Sequence, residues 1–430
     1  MKRIAKSAGF AAMGLLGMAT ANAQTSYGLA PSLTPQELSK TWSASVALRG
    51  FYDDNYNTGP KGQEHSSTGF EASPKISFNM PMEQTFIGLS AIYSMRYYGD
   101  RPSNSADHTI QVDGSLTHSF SERNKVSLSD SFVVAQEQEL LNPTALTSFI
   151  RTEGNNVRNR GAVDVTTGLT PTISAVWGYA NTFYDYEQTG TGSRSALLDR
   201  MEHLFSVNGR WQVTPATVGV LGYQYGLVDY TSNDPLTTSG FSTAASRKPS
   251  FRDSRSQYGF VGADHNFTAQ LLGSIRGGIQ YTEYPNTGGG SDVSPYADGS
   301  ASWTYGPGSF VQGGVRYSRN ATDVAFNALD ATPTLDAESL VFYTAINHQF
   351  TANLTASILG QVQYSTFNGG SADSISDTFF TVGLNFAYRV NQFLSAEAGY
   401  NFDHLDSGLD AVQLRSFDRN RIYVGLRATY

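Results

Sequence analysis

The chain has 430 residues, including 42 glycines, 24 tyrosines and 25 phenylalanines, and it has no cysteine. Only 15% of its residues are charged, and its formal net charge is −8. Without cysteine the chain has no disulfide, thiolate metal site, lipid-modified cysteine or cysteine nucleophile. An acidic chain is a poor nucleic-acid binder, and this composition favours strands and turns over helices.

The first 23 residues have the pattern of a secretory signal peptide. Three positive charges in the first six residues precede a short apolar stretch at residues 8–19. Ala21-Asn22-Ala23 is a small-x-small motif, so we predict cleavage near Ala23/Gln24. Residues 24–40 are predicted to form a short periplasmic or luminal segment, and residues 41–430 a transmembrane β-barrel.

From residue 42 onward, apolar and polar residues alternate with a period of two. In the first such segment, Trp42, Ala44, Val46 and Leu48 alternate with small or polar residues and with Arg49. Successive side chains of a strand point to opposite faces, so each segment has one apolar and one polar face. A soluble sandwich also alternates, but these segments are about ten residues or longer, the length of a tilted transmembrane strand.

The connections between these segments alternate between short turns and long polar stretches. The predicted short turns are Asn79–Gln84, Ser121–Asn124, Thr170–Thr172, Thr214–Ala216, Thr268–Gln270, Gly306–Gly308, Thr351–Asn353 and Asn391–Gln392. Eight short turns imply nine hairpins, and hence an all-β, closed antiparallel up-and-down transmembrane β-barrel of about 18 strands. Sixteen strands is the alternative, because Asp130 falls on the apolar face of Val126–Val134 and questions the register there.

The polar faces of the strands carry charges of both signs, which we predict to line a water-filled pore. These residues are Glu71, Lys75, Arg96, Asp113, Asp164, Arg210, Asp264, Arg276, Asp298, Arg316, Arg389, Glu397, Arg421 and Arg427. Arginine forks suit luminal ladders and the binding of carboxylated or sugar ligands. The alternative is that the arginine and acidic side chains neutralise one another and brace the wall.

The long stretch from Ala135 to Val157 is the third external loop in this interpretation. It contains an apolar, helix-capable segment, and folded inward it would narrow the pore. The candidate constriction residues are Leu140, Leu141, Phe149, Ile150 and Arg151. The alternative is a surface cap that packs on neighbouring loops.

Catalytic and metal sites are weakly indicated. The pairs Asp403-His404 and Asp264-His265 are adjacent in sequence, but adjacent strand residues face opposite ways and do not form a dyad. Asp53-Asp54-Asn55 offers oxygen ligands for Ca²⁺, but a solvated turn is the commoner explanation of such a segment. We therefore predict no enzymatic activity, no cofactor and no metal.

Two segments carry a resemblance to a known family. Arg49-Gly50-Phe51-Tyr52-Asp53-Asp54-Asn55 and the segment 418–426 resemble the outer-membrane β-barrel porin-2 family. The resemblance implies eighteen strands and, since some members are associated with exopolysaccharide export, polysaccharide-export components as partners. The chain end Tyr423-x-Gly425-x-x-Ala428-x-Tyr430 is similar to the signal read by the barrel-assembly machinery.

The sequence thus predicts a channel in the cell outer membrane of a Gram-negative-type bacterium, surrounded by lipid bilayer. Its predicted cargo is a polar solute or an exported polysaccharide. The alternative is a structural or adhesive barrel whose long external loops close the pore and bind a partner.

Overall fold

The computed structural model describes residues 40–136, 154–236, 247–324, 333–410 and 414–430. Eighteen strands make up most of these residues. They are β1 Trp42–Asp53, β2 Ser67–Pro81, β3 Thr85–Tyr98, β4 Ala106–Ser119, β5 Lys125–Ala135, β6 Asn156–Gly168, β7 Ile173–Tyr186, β8 Arg200–Thr214, β9 Thr217–Tyr230, β10 Ser254–Asn266, β11 Leu271–Tyr284, β12 Gly290–Gly306, β13 Ser309–Asn320, β14 Asp336–Gln349, β15 Leu354–Asn368, β16 Ser376–Arg389, β17 Leu394–Ser407 and β18 Phe417–Thr429.

All of these strands belong to one closed antiparallel sheet. Each strand pairs with the next along the chain, and β1 pairs with β18, where Leu48 lies opposite Leu426. The last residue also takes part in closure, because the backbone N–H of Tyr430 donates to the carbonyl of Ala44 at 2.8 Å. The predicted eighteen-stranded closed barrel is therefore confirmed, and the alternative of sixteen strands is wrong.

Alternation gives the barrel an apolar outer face and a polar inner face. On β1, Leu48 is 57% exposed on the outside, whereas Arg49 on the inside is 6% exposed. Closure pairs the backbone groups of the first and last strands, which an open sheet leaves unpaired at its edges. Helices are minor: α1 covers Arg194–Leu198, and short 3₁₀ turns occur at Pro249–Arg252, Pro285–Thr287 and Gly370–Ala372. Among the described residues, no helix has the length and apolar character needed to cross a membrane.

Short turns and longer loops occupy opposite rims of the barrel. Each predicted short turn lies at a junction between two strands of the structure, although Asn79–Pro81, Thr214 and Gly306 belong to the strands themselves. Five turns share one local device, in which a side-chain oxygen accepts backbone N–H bonds from two and three residues later. The acceptors are Ser121, Thr170, Thr268, Thr351 and Asn391. We call this end the short-turn rim and the other end the long-loop rim.

Asp130 is an acidic residue on the outer face. It lies opposite Gly161 in the β5–β6 ladder, with Leu128 and Phe132 on either side of it along the strand. Its carboxylate accepts two bonds from the Asn159 side-chain amide, at 3.1 and 3.2 Å. The register that seemed doubtful in the sequence is thus the one the fold adopts.

Candidate functional site

The inner face of the barrel holds the predicted charged residues. The strand alternation places all fourteen on the same face as Arg49: Glu71, Lys75, Arg96, Asp113, Asp164, Arg210, Asp264, Arg276, Asp298, Arg316, Arg389, Glu397, Arg421 and Arg427. The structure brings most of them together in ion-pair networks.

The first network crosses the strands on either side of the closure. The Arg49 guanidinium contacts Glu71 at 2.7 Å and Glu397 at 2.8 Å, so that it joins β1 to both β2 and β17. Arg96 on β3 contacts the other oxygen of Glu71 at 3.0 Å, and Arg427 on β18 contacts the other oxygen of Glu397. Five consecutive strands of the ring, β17, β18, β1, β2 and β3, are thereby connected by one chain of alternating charges.

A second set of charges lies above the first, toward the long-loop rim. The Asp53 carboxylate accepts bonds from the Arg419 guanidinium, including one from Nε at 3.1 Å, and Arg421 lies 3.9 Å from Asp403. Asp54 accepts bonds from the backbone and side-chain amides of Asn420, at 2.6 and 2.7 Å. In this structure the carboxylates of Asp53 and Asp54 therefore bond to residues of β18.

Another network lies on the far wall of the barrel. Asp264 on β10 contacts Arg210 at 2.8 Å and Arg276 at 2.7 Å, and Asp298 on β12 contacts Arg316 at 3.0 Å. Arg210 belongs to β8, so its side chain crosses β9 to reach Asp264. In the network of Arg49 and in the network of Asp264, each arginine fork is directed at carboxylates of the wall, as in the bracing alternative.

Four predicted residues have surroundings of another kind. Asp113 is buried and accepts bonds from Gln111, Ser131 and Ser90. Lys75 lies near Asp113, and Asp164 is half-buried. Arg389 lies at the short-turn rim, where it donates to the carbonyl of Ala352 at 2.8 Å.

Several members of these networks were not among the predicted site residues. Arg49, Asp53, Asp403 and Arg419 all face inward, and their parity in the strand pattern is the signal that would have included them.

Aromatic rings of the inner face stack over glycines of neighbouring strands, which the sequence pattern does not indicate. A Cβ at Gly399 would collide with the Tyr423 ring, and one at Gly222 would collide with the Phe260 ring.

Loops of the long-loop rim are bonded to one another through two buried arginines. Arg252 precedes β10 and donates to the Leu197 carbonyl at 3.0 Å and to the Thr322 carbonyl. Arg415 precedes β18 and contacts Asp323 at 3.1 Å and Asp377 at 3.2 Å. Burial lowers the pKa of the Arg252 guanidinium, whereas the two carboxylates raise that of Arg415 against the effect of burial.

Beside the Asp323–Arg415 pair lies a small cavity lined mainly by inner-face residues. It is open to solvent and has an empty volume of about 330 Å³. Its lining includes Ser339, Gln363, Ser365 and Phe379. An apolar cluster of Val324, Ala337, Phe367, Ala372 and Leu409 packs nearby, so the Thr322–Val324 segment is held firmly at this rim.

The candidate constriction residues Leu140, Leu141, Phe149, Ile150 and Arg151 lie outside the described residues, as do the predicted signal peptide and all but the last residue of segment 24–40. The residues of the predicted assembly signal are described. Tyr423 faces inward and its hydroxyl donates to Asn385, Gly425 lies under Arg49, and Tyr430 pairs with Ala44.

The strand histidines are all on the outer face, near one rim or the other. They are His108, His118, His203, His265, His348 and His404. Asp403 and Asp264 point inward, so neither forms a dyad with the adjacent histidine, as strand geometry requires. No group of three or more potential metal ligands occurs within the described part of the chain.

The chain is similar to one protein family and to several solved structures. The family model described as "Putative beta-barrel porin 2" matches residues 41–430. No curated protein sequence matches the chain. Similar solved structures include OpdK of Pseudomonas aeruginosa, with 11% identity, 90% of this chain and 99% of that chain covered and a TM-score of 0.45. They also include the siderophore receptor PirA of Acinetobacter baumannii, with 11% identity, coverages of 91% and 81% and a TM-score of 0.45.

Proposed function

Since the chain belongs to the β-barrel porin 2 family and forms an outer-membrane barrel, we propose that it is a passive conduit for polar solutes or for an exported polysaccharide chain. The observation that carries this proposal is the difference in polarity between the outer and inner faces of the barrel. The outer face presents exposed apolar side chains to lipid, whereas the inner face is lined with charged and amide side chains.

The width of the ring supports the proposal. Eighteen strands about 4.8 Å apart and tilted by about 40° enclose a ring roughly 35 Å across between opposite backbones. Side chains of the wall do not fill a ring of this size. The ion-pair networks keep the arginine forks against the wall, which favours passage of hydrated solutes over tight binding.

The conduit needs no cofactor and no catalytic group. The six strand histidines lie on the outer face, away from the lumen, so none of them can act as a general base on a solute in the pore. The proposed lining is the inner-face set given above, and the proposed assembly signal comprises Tyr423, Gly425 and Tyr430. The proposed precursor loses its signal peptide near Ala23/Gln24, after which the barrel-assembly machinery inserts the chain.

Single-channel recording tests the proposal directly. The refolded protein in planar bilayers should give discrete open steps, and a soluble anionic polysaccharide that enters the pore should interrupt them. A neutral polysaccharide of equal length is the control for simple exclusion. Open steps that neither polymer interrupts would restrict the proposal to small solutes. A folded barrel without any conductance would overturn it and favour the adhesive alternative.

A further inference from the structure

Contacts between the loops of the long-loop rim link parts of the barrel that are far apart in the ring. Arg252 lies two residues before β10, and Arg415 lies two residues before β18. β10 and β18 are eight strands apart in a ring of eighteen, so their ends are nearly opposite one another. Both arginines nevertheless contact adjacent residues, Thr322 and Asp323.

Distances across the mouth explain what this arrangement requires. Opposite points of the ring are roughly 35 Å apart, and two extended residues reach at most about 7 Å from a strand end. The rest of the span must be made by the two arginine side chains and the Thr322–Asp323 step. In such a ring the path from β10 through Arg252, Thr322, Asp323 and Arg415 to β18 runs from one side of the mouth to the other. Between its ends, Thr322 and Asp323 lie beside the inner faces of β14, β15 and β16.

We propose that this path is a gate, a strap across the mouth whose latch is the contact of Arg415 with Asp323 and Asp377. The gate rests on the proposed conduit function and adds its regulation. The strap is anchored at four places. Arg252 ties it to the Leu197 carbonyl near β8, β13 carries it, Val324 packs in the apolar cluster described above, and Arg415 ties it to β16 and β18.

The latch is the part of the strap that depends on charge. Arg415 is buried with a relative exposure of 8%, and its fork reaches both carboxylates at 3.1–3.3 Å. Removal of its guanidinium leaves Asp323 and Asp377 close together as two buried carboxylates, which repel one another. Loss of Arg415 should therefore loosen Thr322 and Asp323 from the β18 side, while β13 and the apolar cluster around Val324 still hold the rest of the segment.

Conductance of latch variants is the first test. Arg415→Ala and Asp323→Ala should each raise the mean single-channel conductance at least two-fold, because the strap no longer spans the mouth. Arg415→Lys should have an intermediate effect, since an ammonium keeps the charge but cannot bond both carboxylates with a planar fork. Arg101→Ala is the matched control. Arg101 makes a similar ion pair with Asp107, at 2.6 Å, but that pair is local to the β3–β4 connection.

Distance measurement gives a second readout that does not depend on current. Because the chain has no cysteine, spin labels at Ser250→Cys and Leu414→Cys report only the separation of the two loops across the mouth. The labels should give one narrow distance distribution that becomes broader and longer when Arg415→Ala is added. An unchanged distribution in that variant would overturn the latch.

The outcomes separate the gate from the conduit. Larger conductance steps in the latch variants but not in Arg101→Ala support the gate. A conducting protein whose steps are indifferent to Arg415 and Asp323 overturns the gate and leaves the conduit intact. A barrel that is silent in every variant overturns the conduit, and the gate with it.

Discussion

Arg49 on the first strand donates hydrogen bonds to Glu397 on the seventeenth, 348 positions later, at distances of 3.0 and 2.8 Å. The eighteenth strand lies between them, and Gly425 is the residue that the Arg49 side chain crosses. A Cβ at Gly425 would lie 2.7 Å from Arg49 Cγ and 2.9 Å from Arg49 Cα. The absence of a side chain at Gly425 thus allows the ion pair to cross the closure.

We expect Gly425→Ala to destabilise the barrel by about 1–3 kcal/mol, because overpacking at this contact displaces Arg49 and the backbone of β1. Urea-induced unfolding in lipid vesicles, followed by tryptophan fluorescence, measures the effect. Gly50→Ala is the control, since a Cβ at Gly50 has nothing within 4 Å. Equal stabilities of the two variants would contradict a special role for Gly425.

Arg49→Met is expected to cost about 2–4 kcal/mol of unfolding free energy. Breaking a buried ion pair typically costs about 3–5 kcal/mol, but here Glu71 and Glu397 keep Arg96 and Arg427 as partners. The same unfolding experiment applies, with Arg389→Met as the control at the exposed short-turn rim. An effect below about 0.5 kcal/mol, the usual size for surface changes, would show that the network does not stabilise the closure.

The pattern of alternation was sufficient to predict the faces of the strands, because it depends only on local geometry. The alternation placed Asp130 on the outer face, where the structure has it. The eight short turns were predicted from the Thr, Ser, Asn and Gly residues between the alternating segments. In five of these turns a Ser, Thr or Asn side chain satisfies backbone groups within three positions along the chain, so the signal of those turns is contained in the sequence.

The contacts that inner-face side chains make with one another could not be predicted from the alternation pattern. Arg49 and Glu397 belong to strands that are not neighbours, and Arg210 crosses β9 to reach Asp264, so ladder pairing does not reveal these contacts. The strap was also hidden, since Arg252, Thr322 and Arg415 belong to three loops joined only by the closed ring. The partners of Asp53 and Asp54 were hidden for the same reason, because Arg419 and Asn420 lie far along the chain from them.

Replacing Asp130 and Asn159 together by valine should stabilise the barrel in lipid by about 1–3 kcal/mol. A polar pair on the lipid-facing side of a barrel is costly, and the cost depends on its depth in the bilayer. Unfolding free energies in vesicles of unaltered protein and of the double variant give the difference. Loss of stability instead would mean that another protein, and not lipid, covers this part of the wall.

Titration of the Asp253 carboxyl, next to Arg252, should make the protein less stable as pH rises. Burial, opposed by hydrogen bonds from Tyr230 and Asn286, raises the pKa of the Asp253 carboxyl to about 6. An unfolded aspartate has a pKa near 3.9, so the folded state binds this proton more tightly. Its stabilising effect is complete below about pH 4 and is lost as pH rises through 6.

Asp253→Asn removes this titration, and we expect the variant to be more stable than the unaltered protein at pH 8 by about 1 kcal/mol. The figure is small because the carboxyl is only half-buried and solvent screens it. Thermal unfolding from pH 4 to pH 8 should show the two proteins diverging between about pH 4 and pH 6 and keeping a constant difference above that. Parallel pH profiles would rule out a contribution from Asp253.

The pairing of β1 with β18 also has a consequence for biogenesis. The final ladder joins the first strand to the eighteenth, so a piece that lacks β18 cannot complete the ring. The cell must therefore keep nearly the whole chain unfolded and soluble until its last strand is available, with apolar side chains exposed to aggregation meanwhile. A nonsense mutation that removes β18 would accordingly behave as a complete loss of the protein. The truncated chain would also expose two unpaired strand edges, which promote aggregation.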